Sequence, residues 1–297
     1  MIGIVVVNYK NEDLTIKFVN QELSKINSEK VIVIVDNEST STSSEYLKSS
    51  LNAQFEDEAL SSSNLYVLRN NDNLGFAKGN NSAIEFLTNY YRCEFFLFIN
   101  NDIVFKDNNA IDYLICKLNS FDKTISMIGP RVIGLDGCDQ SPLYYVSIFR
   151  KWFWGLWLKS FFTNSSLNKV FGGEEFNKTE GICYSIMGSC ILVRASDFLE
   201  VDMFDEKTFL FGEEFILAER LKKKAKMIYY DSSTCVIHYH NQSIGKKFNS
   251  SQKLLLQFDS DSYYYRTYKN ISLMSLFICK VSLFIRLFIS KIMMKNE

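Results

Sequence analysis

Three places in this sequence hold residue types that do chemistry when they are brought together. The stretch "FLFINNDIVF", residues 96–105, breaks an apolar run with Asn100, Asn101 and Asp102. An unpaired carboxylate is costly to bury unless it is neutralised or paired, so the break implies a metal, a ligand or a tight turn. Glu213 and Glu214 are adjacent carboxylates in "LFGEEFILAERLKKK". One of them can take a proton from a hydroxyl as general base, although two acids at a helix N-terminus also suit the macrodipole. The chain's two histidines, His238 and His240 of "CVIHYHNQS", follow a short apolar run and share a side if that strand continues. No third ligand has zinc-like spacing to them.

The elements that must position these groups alternate along the first third of the chain. "IGIVVV" (2–7) and "VIVIV" (31–35) are unbroken β-branched runs, the pattern of strands covered on both faces, with a helical reading from Glu12 to Ile26 between them. "LYVL" (65–68) and "FFLFI" (95–99) continue the series around a helix from Ala77 to Tyr91. The fold class expected is α/β, a Rossmann-like, mostly parallel sheet flanked by helices. Ligands in such sheets sit beyond the carboxyl ends of the strands. The residues there are Asn8 and Tyr9, Asp36 and Asn37, Arg69 to Asn73, and Asn100 to Asp102. Each set alone reads as a solvated turn or a helix cap; the four together read as one lined cleft. The tract "NYKNED" after the first strand lacks both glycine-rich phosphate patterns, which argues against a dinucleotide dehydrogenase or a P-loop NTPase.

Composition narrows the rest. With 297 residues and 47% hydrophobic content the chain can bury a full core, as one large domain or two small ones. Its 33 basic and 34 acidic residues leave a formal charge of −1, so no global field draws it to nucleic acid. The 7 cysteines form no CxxC pair, which fits reduced thiols and a cytoplasmic setting. The opening "IGIVVVNYK" has no basic leader and does not read as a secretory signal. Residues 143–162 carry Trp152, Trp154 and Trp157 with Arg150, Lys151 and Lys159, a mixture suited to a membrane interface or an acceptor groove, or else to a core hairpin or helix. The tail from Ile271 to Met294 is apolar apart from Lys280, Arg286, Lys291 and small polar residues. Its longest uncharged run, Ile271 to Cys279, is far below the roughly 18–20 residues that span a bilayer. Lys280 and Lys291 fall together on a helical wheel, which predicts an amphipathic helix on the inner face of a membrane or against a second subunit of a homodimer.

The segments "VVVNYKNEDL", "VIVDNES", "NDNLGFAKGNN" and "FLFINNDIVF", in this order, resemble the nucleotide-sugar half of glycosyltransferase family 2 enzymes with the GT-A fold. "GFAKGNN" resembles the rhamnosyltransferase-like branch of bacterial surface-polysaccharide enzymes. The resemblance implies that Val7, Asn8, Tyr9 and Asp36 hold the donor nucleoside, and that Asn73, Gly75, Phe76, Lys78, Asn80, Asn100 and Asn101 line the donor site. It also implies that Asp102 binds Mg2+ or Mn2+ on the donor diphosphate. Asn100 stands where many relatives carry Asp. His238 is implied as a metal or phosphate contact, with His238 and Ser243 matching a relative's His-x-x-x-x-Ser pattern. The segment 188–231 resembles the acceptor half: Glu214 stands where the second acid acts as base, Glu213 stays a candidate for that role, and Ile216 replaces a further Asp. The expected organisation is a donor half at 1–105, an acceptor and catalytic half at 106–245 and a helical tail at 246–297. The activity implied is inverting transfer from a UDP- or dTDP-linked sugar to a saccharide or lipid-linked saccharide in cell-surface polysaccharide synthesis. Two alternatives stand beside it: a sugar nucleotidyltransferase, which should show a glycine-rich basic loop where "VVNYKNEDL" stands, and a catalytically silent sugar-binding or assembly module.

Overall fold

The computed structural model describes residues 1–58, 63–154, 179–239 and 249–293. The chain forms two compact units, Met1–Leu143 with Lys178–Lys247, and Tyr144–Asn177 with Phe248–Glu297. Trp157, Lys159, His240 and Ser243 lie outside the described residues.

In the first unit the β-branched runs become β1 (Ile2–Asn8) and β2 (Lys30–Asn37), followed by β3 (Gln54–Phe55), β4 (Leu65–Asn70) and β5 (Phe95–Ile99). Their alternation sends Ile2, Ile4, Val6, Ile32 and Ile34 into one core, and Val5, Val31, Val33 and Val35 into another. Two cores need helices on both faces, because each strand is apolar on both sides. Helices α1 (Glu12–Gln21), α2 (Ser41–Leu51) and, further on, α4 (Ala110–Ser120) supply Phe18, Leu47 and Leu114 to the first. The second takes Ile84 and Leu87 from α3 (Gly75–Tyr90), Phe198 from α5 (Ala195–Glu200) and Leu217 from α6 (Glu213–Lys223). Helix α1 stops earlier than the expected Ile26, tightening into a 3-10 turn at Leu23–Lys25.

The remaining strands are β6 (Ile103–Phe105), β7 (Ile125–Gly134), β8 (Gly181–Cys183), β9 (Cys190–Arg194) and β10 (Met227–His238). The sheet order is β3-β4-β2-β1-β5-β9-β7-β10-β6, with β8 also on β10. Strands β1 to β5 run parallel. Strand β9 lies antiparallel to both β5 and β7, β10 is parallel to β7, and β6 returns antiparallel to β10. The ends of β1, β2, β4, β5, β7 and β10 and the starts of β6 and β9 therefore share one edge of the sheet. "FLFINNDIVF" is thus two strands in different places. From Ile99 to Ile103 the chain can reach about 14 Å at most. Four strand spacings in a flat sheet would need about 19 Å. The sheet must curl, bringing β10 and β6 back toward β5. The register break between Asp231 and Cys235 in β10 supplies a bulge of the kind that bends strands.

In the second unit Trp152 is buried, and its indole Nε1 donates to Asp261 Oδ2 at 2.7 Å, where Lys151 Nζ also lies at 2.7 Å. Burial pushes the Asp261 carboxyl up, against the pull of Lys151. The tail forms α7 (Ser250–Lys269) and α8 (Leu273–Met293).

One close approach fixes the entry to α3. Gly75 has φ +78°, and a Cβ there would stand 2.1 Å from the Phe209 carbonyl oxygen, which accepts the Phe76 N–H at 2.9 Å. Gly75→Ala is expected to destabilise the fold by at least about 1–3 kcal/mol from the left-handed backbone alone. A lowered midpoint in urea denaturation measures it.

Candidate active site

The strand ends are joined by a buried hydrogen-bond chain. Asn8 closes β1 opposite Asp36 in the β1–β2 register, and its Nδ2 donates to Asp36 Oδ1 at 2.8 Å. Asn8 Oδ1 accepts from Thr15 Oγ1 at 2.7 Å, and Thr15 Oγ1 in turn accepts from Asn101 Nδ2 at 2.8 Å. Ser43 Oγ donates to Asp36 Oδ2 at 2.7 Å. Three strand ends are thereby locked together by neutral donors around one carboxylate. Beside them Tyr9 OH donates to Glu38 Oε2 at 2.9 Å, and Val7 is half-buried.

A second set of amides holds the start of α3. Asn37 Nδ2 donates to the Gly75 carbonyl at 3.1 Å and its Oδ1 accepts from Asn70 at 3.0 Å, while Asn73 Oδ1 accepts the Gly75 N–H at 3.0 Å. Gly79 leaves room for Asn37, since a Cβ would lie 2.9 Å from its Nδ2. Asn80 is buried and donates to the Phe76 carbonyl at 2.8 Å, and Lys78 is exposed.

Asp102 sits where the chain turns into β6. Its backbone carbonyl accepts the Tyr239 N–H at 2.9 Å, and its side chain is 8% exposed. Asp102 Oδ1 is buried without a hydrogen-bond partner, although His238 Nε2 stands 3.2 Å away. His238 ends β10 directly opposite Ile103, and its Nδ1 meets Gln140 Oε1 at 2.8 Å. A carboxylate oxygen facing an imidazole nitrogen without hydrogen-bond geometry suits a cation shared between them. Among the described residues no group of three His, Cys, Asp or Glu is arranged to hold an ion. Two protein ligands fit a divalent cation whose other ligands are phosphate oxygens and water. A cavity of about 240 Å³ opens on Asn101, Asp102 and Tyr239, with Leu14, Lys17 and Gln21 of α1 opposite.

The acidic pair divides into two environments. Glu213 begins α6 after Gly212, at φ +86°, and is 7% exposed with Oε2 unpartnered. Burial, reinforced by the neighbouring Glu214 charge, pushes its carboxyl well above the usual range. Glu214 is half-buried, and its Oε1 accepts the Gly188 N–H at 3.2 Å. A Cβ on Gly188 would lie 2.7 Å from that oxygen, so a side chain there would displace the Glu214 carboxylate. The next residue, Ser189, accepts the Asn100 N–H on its carbonyl at 3.0 Å. Two hydrogen bonds and one peptide step therefore connect Glu214 to the Asn100–Asp102 turn. Thr15, Ser43, Gln140 and Gly188 join this arrangement without having stood out in the sequence. Only Ser43 carried a local signal, as the fourth residue of a Thr40 capping box.

Residues 3–199 match the model of Glycosyl transferase family 2. The chain is 23% identical over 261 residues to the low-salt glycan biosynthesis hexosyltransferase Agl10 of Haloferax volcanii, covering 86% of this chain and 73% of that protein. It is 26% identical over 171 residues to the rhamnosyltransferase WbbL of Escherichia coli K12, covering 56% of this chain and 61% of that one. Among solved structures it resembles GalNAc-T7 with UDP, GalNAc and Mn2+ at a TM-score of 0.60 and 14% identity, over 91% of this chain and 49% of the other. The mannosyltransferase PcManGT of Pyrobaculum calidifontis, solved with GDP-Man and Mn2+, gives 0.55 and 10% over 95% and 73%. These neighbours share the GT-A fold that the strand pattern and motifs led one to expect.

Glu213 has its folded-state pKa raised, so its stabilising share is full below the unfolded value, about 4.3, and is lost as pH rises toward the folded value. Glu213→Gln should leave stability near pH 4 unchanged and raise it increasingly above pH 5, as read by denaturant melts across that range.

Proposed function

The chain belongs to glycosyltransferase family 2, and from that membership we propose that it is an inverting transferase. The reaction moves a sugar from a nucleoside-diphosphate donor, UDP- or dTDP-linked, to a hydroxyl of a saccharide or lipid-linked saccharide in cell-surface polysaccharide synthesis. The observation that carries this reading is the buried Asp102 Oδ1, which makes no hydrogen bond and faces His238 Nε2, on a turn tied through Ser189 and Gly188 to Glu214. A divalent cation, Mg2+ or Mn2+, held by Asp102 and His238 would neutralise charge on the departing diphosphate.

The chain's own groups divide the remaining work. Asn8, Asp36 and the residues around Gly75 fix the strand ends against which the donor lies, with 1–105 as the donor half and 106–245 as the acceptor half. Glu214 takes the proton of the acceptor hydroxyl while that oxygen attacks the anomeric carbon from the face opposite the diphosphate. The configuration at that carbon inverts. Burial and the neighbouring Glu214 charge push the Glu213 carboxyl well above the usual range, so the half-buried Glu214 takes the role of base and Glu213 stands as the second candidate. Gln140 holds the His238 ring by Nδ1 and so leaves Nε2 toward Asp102.

Release of nucleoside diphosphate from a panel of donors, with and without Mn2+, tests the activity. Asp102→Ala should abolish metal-dependent turnover with an unchanged melting curve; retained turnover removes Asp102 from the cation site. Glu214→Gln should lower kcat by about 10²–10⁴-fold while donor binding persists, the usual range for losing a general base. Glu213→Gln should keep most activity. The reverse ranking of the two glutamines would transfer the base to Glu213.

A further inference from the structure

The second unit presents a surface that the transfer reading does not use. Helix α8 turns Leu276, Cys279 and Leu283 inward, all buried at helical spacing. Its opposite side exposes Leu273, Met274, Phe277, Phe284, Ile285 and Phe288, at 45–74% each. At 100° per residue these six outward positions fall within about 120° of one another, so they form one continuous face. A groove of about 340 Å³ runs along it, lined by Phe153, Phe277, Ile278, Val281, Ser282 and Ile285. Among the described residues no helix is long and apolar enough to cross a membrane.

Charge selects the occupant of this face. From Ser262 to Asn296 the chain carries Arg266, Lys269, Lys280, Arg286, Lys291 and Lys295 and not one Asp or Glu, although the whole chain is −1. Lys280 and Lys291 share one border of the apolar face, 20° apart on the wheel at 100° per residue, and Arg286 lies beyond its other border. A second copy of this chain would bring like charges against these borders. An anionic bilayer surface complements them, the apolar side chains entering the acyl boundary while the basic stems reach the headgroups. We propose that α8 is an interfacial anchor that lies on an anionic membrane, with acyl chain filling the Phe153–Phe277 groove. The anchor makes a membrane-borne acceptor accessible but does not depend on the transfer chemistry.

Flotation of the full chain with vesicles tests the proposal, using phosphatidylcholine alone or with a third phosphatidylglycerol. The wild type should float with the anionic vesicles and partition at least about tenfold more weakly onto the neutral ones, each basic residue contributing roughly fivefold. Raised salt should weaken the anionic binding. The outward pair F284D/F288D should lose binding to both vesicles with an unchanged melting curve, whereas K280Q/K291Q should lose about twenty-five-fold on anionic vesicles only. Release of nucleoside diphosphate in the presence of a soluble acceptor should persist in both variants, which separates failure of the anchor from failure of the enzyme. Equal binding to the two vesicles, or no binding, overturns the proposal. So does a lipid-free dimer in light scattering that F284D/F288D dissociates, which would assign the face to a second copy.

Discussion

The short reach of the chain between Ile99 and Ile103 governs this molecule. Strand β5 lies at the middle of the sheet and β6 at its far edge, and three residues must connect them. The connection is feasible only because the sheet curls, and the curl places Asp102 against the end of β10. Without that curl His238 would stand on a distant strand. The meeting of carboxylate and imidazole is thus set by backbone geometry before any side-chain preference enters.

The same edge imposes the division between the two glutamates. Helix α6 begins at Gly212, so its first residue turns into the core and its second toward the β9 loop. Low dielectric around Glu213 disfavours its ionised form, whereas Glu214 keeps a backbone donor on one oxygen and access to solvent. One helical step thus puts the two adjacent carboxylates in different surroundings, one buried and one half-buried. The buried chain from Asp36 through Asn8 and Thr15 to Asn101 has a comparable role, converting three loose strand ends into one rigid rim.

Much of the parallel half was legible in the sequence, because β-branched runs state two-faced burial directly. Strands over 2–7, 31–35, 65–68 and 95–99 appear in the structure with one to three further residues, except the last, which is unchanged. What could not be read is the antiparallel insertion of β9 between β5 and β7, because Phe98 and Ile191 are paired across most of a domain and carry no local sign of it. Nor does "FLFINNDIVF" show locally that its two apolar halves enter different ladders, with Val104 pairing with Ile237. Asp102, His238 and the glutamates announced themselves by residue type. Gln140 did not, since its relevance lies wholly in a contact with a ring 98 residues away.

Glu22, at the end of α1, accepts the Phe105 N–H at 2.8 Å and pairs with Lys25. Strand β6 is the last strand in the sheet order, and a last strand offers unpaired amides to any extended chain that meets it. By occupying that donor, one side chain removes an amide with which another polypeptide could pair. The turn that carries Asp102 is therefore shielded from strand-to-strand aggregation while its cavity side stays open.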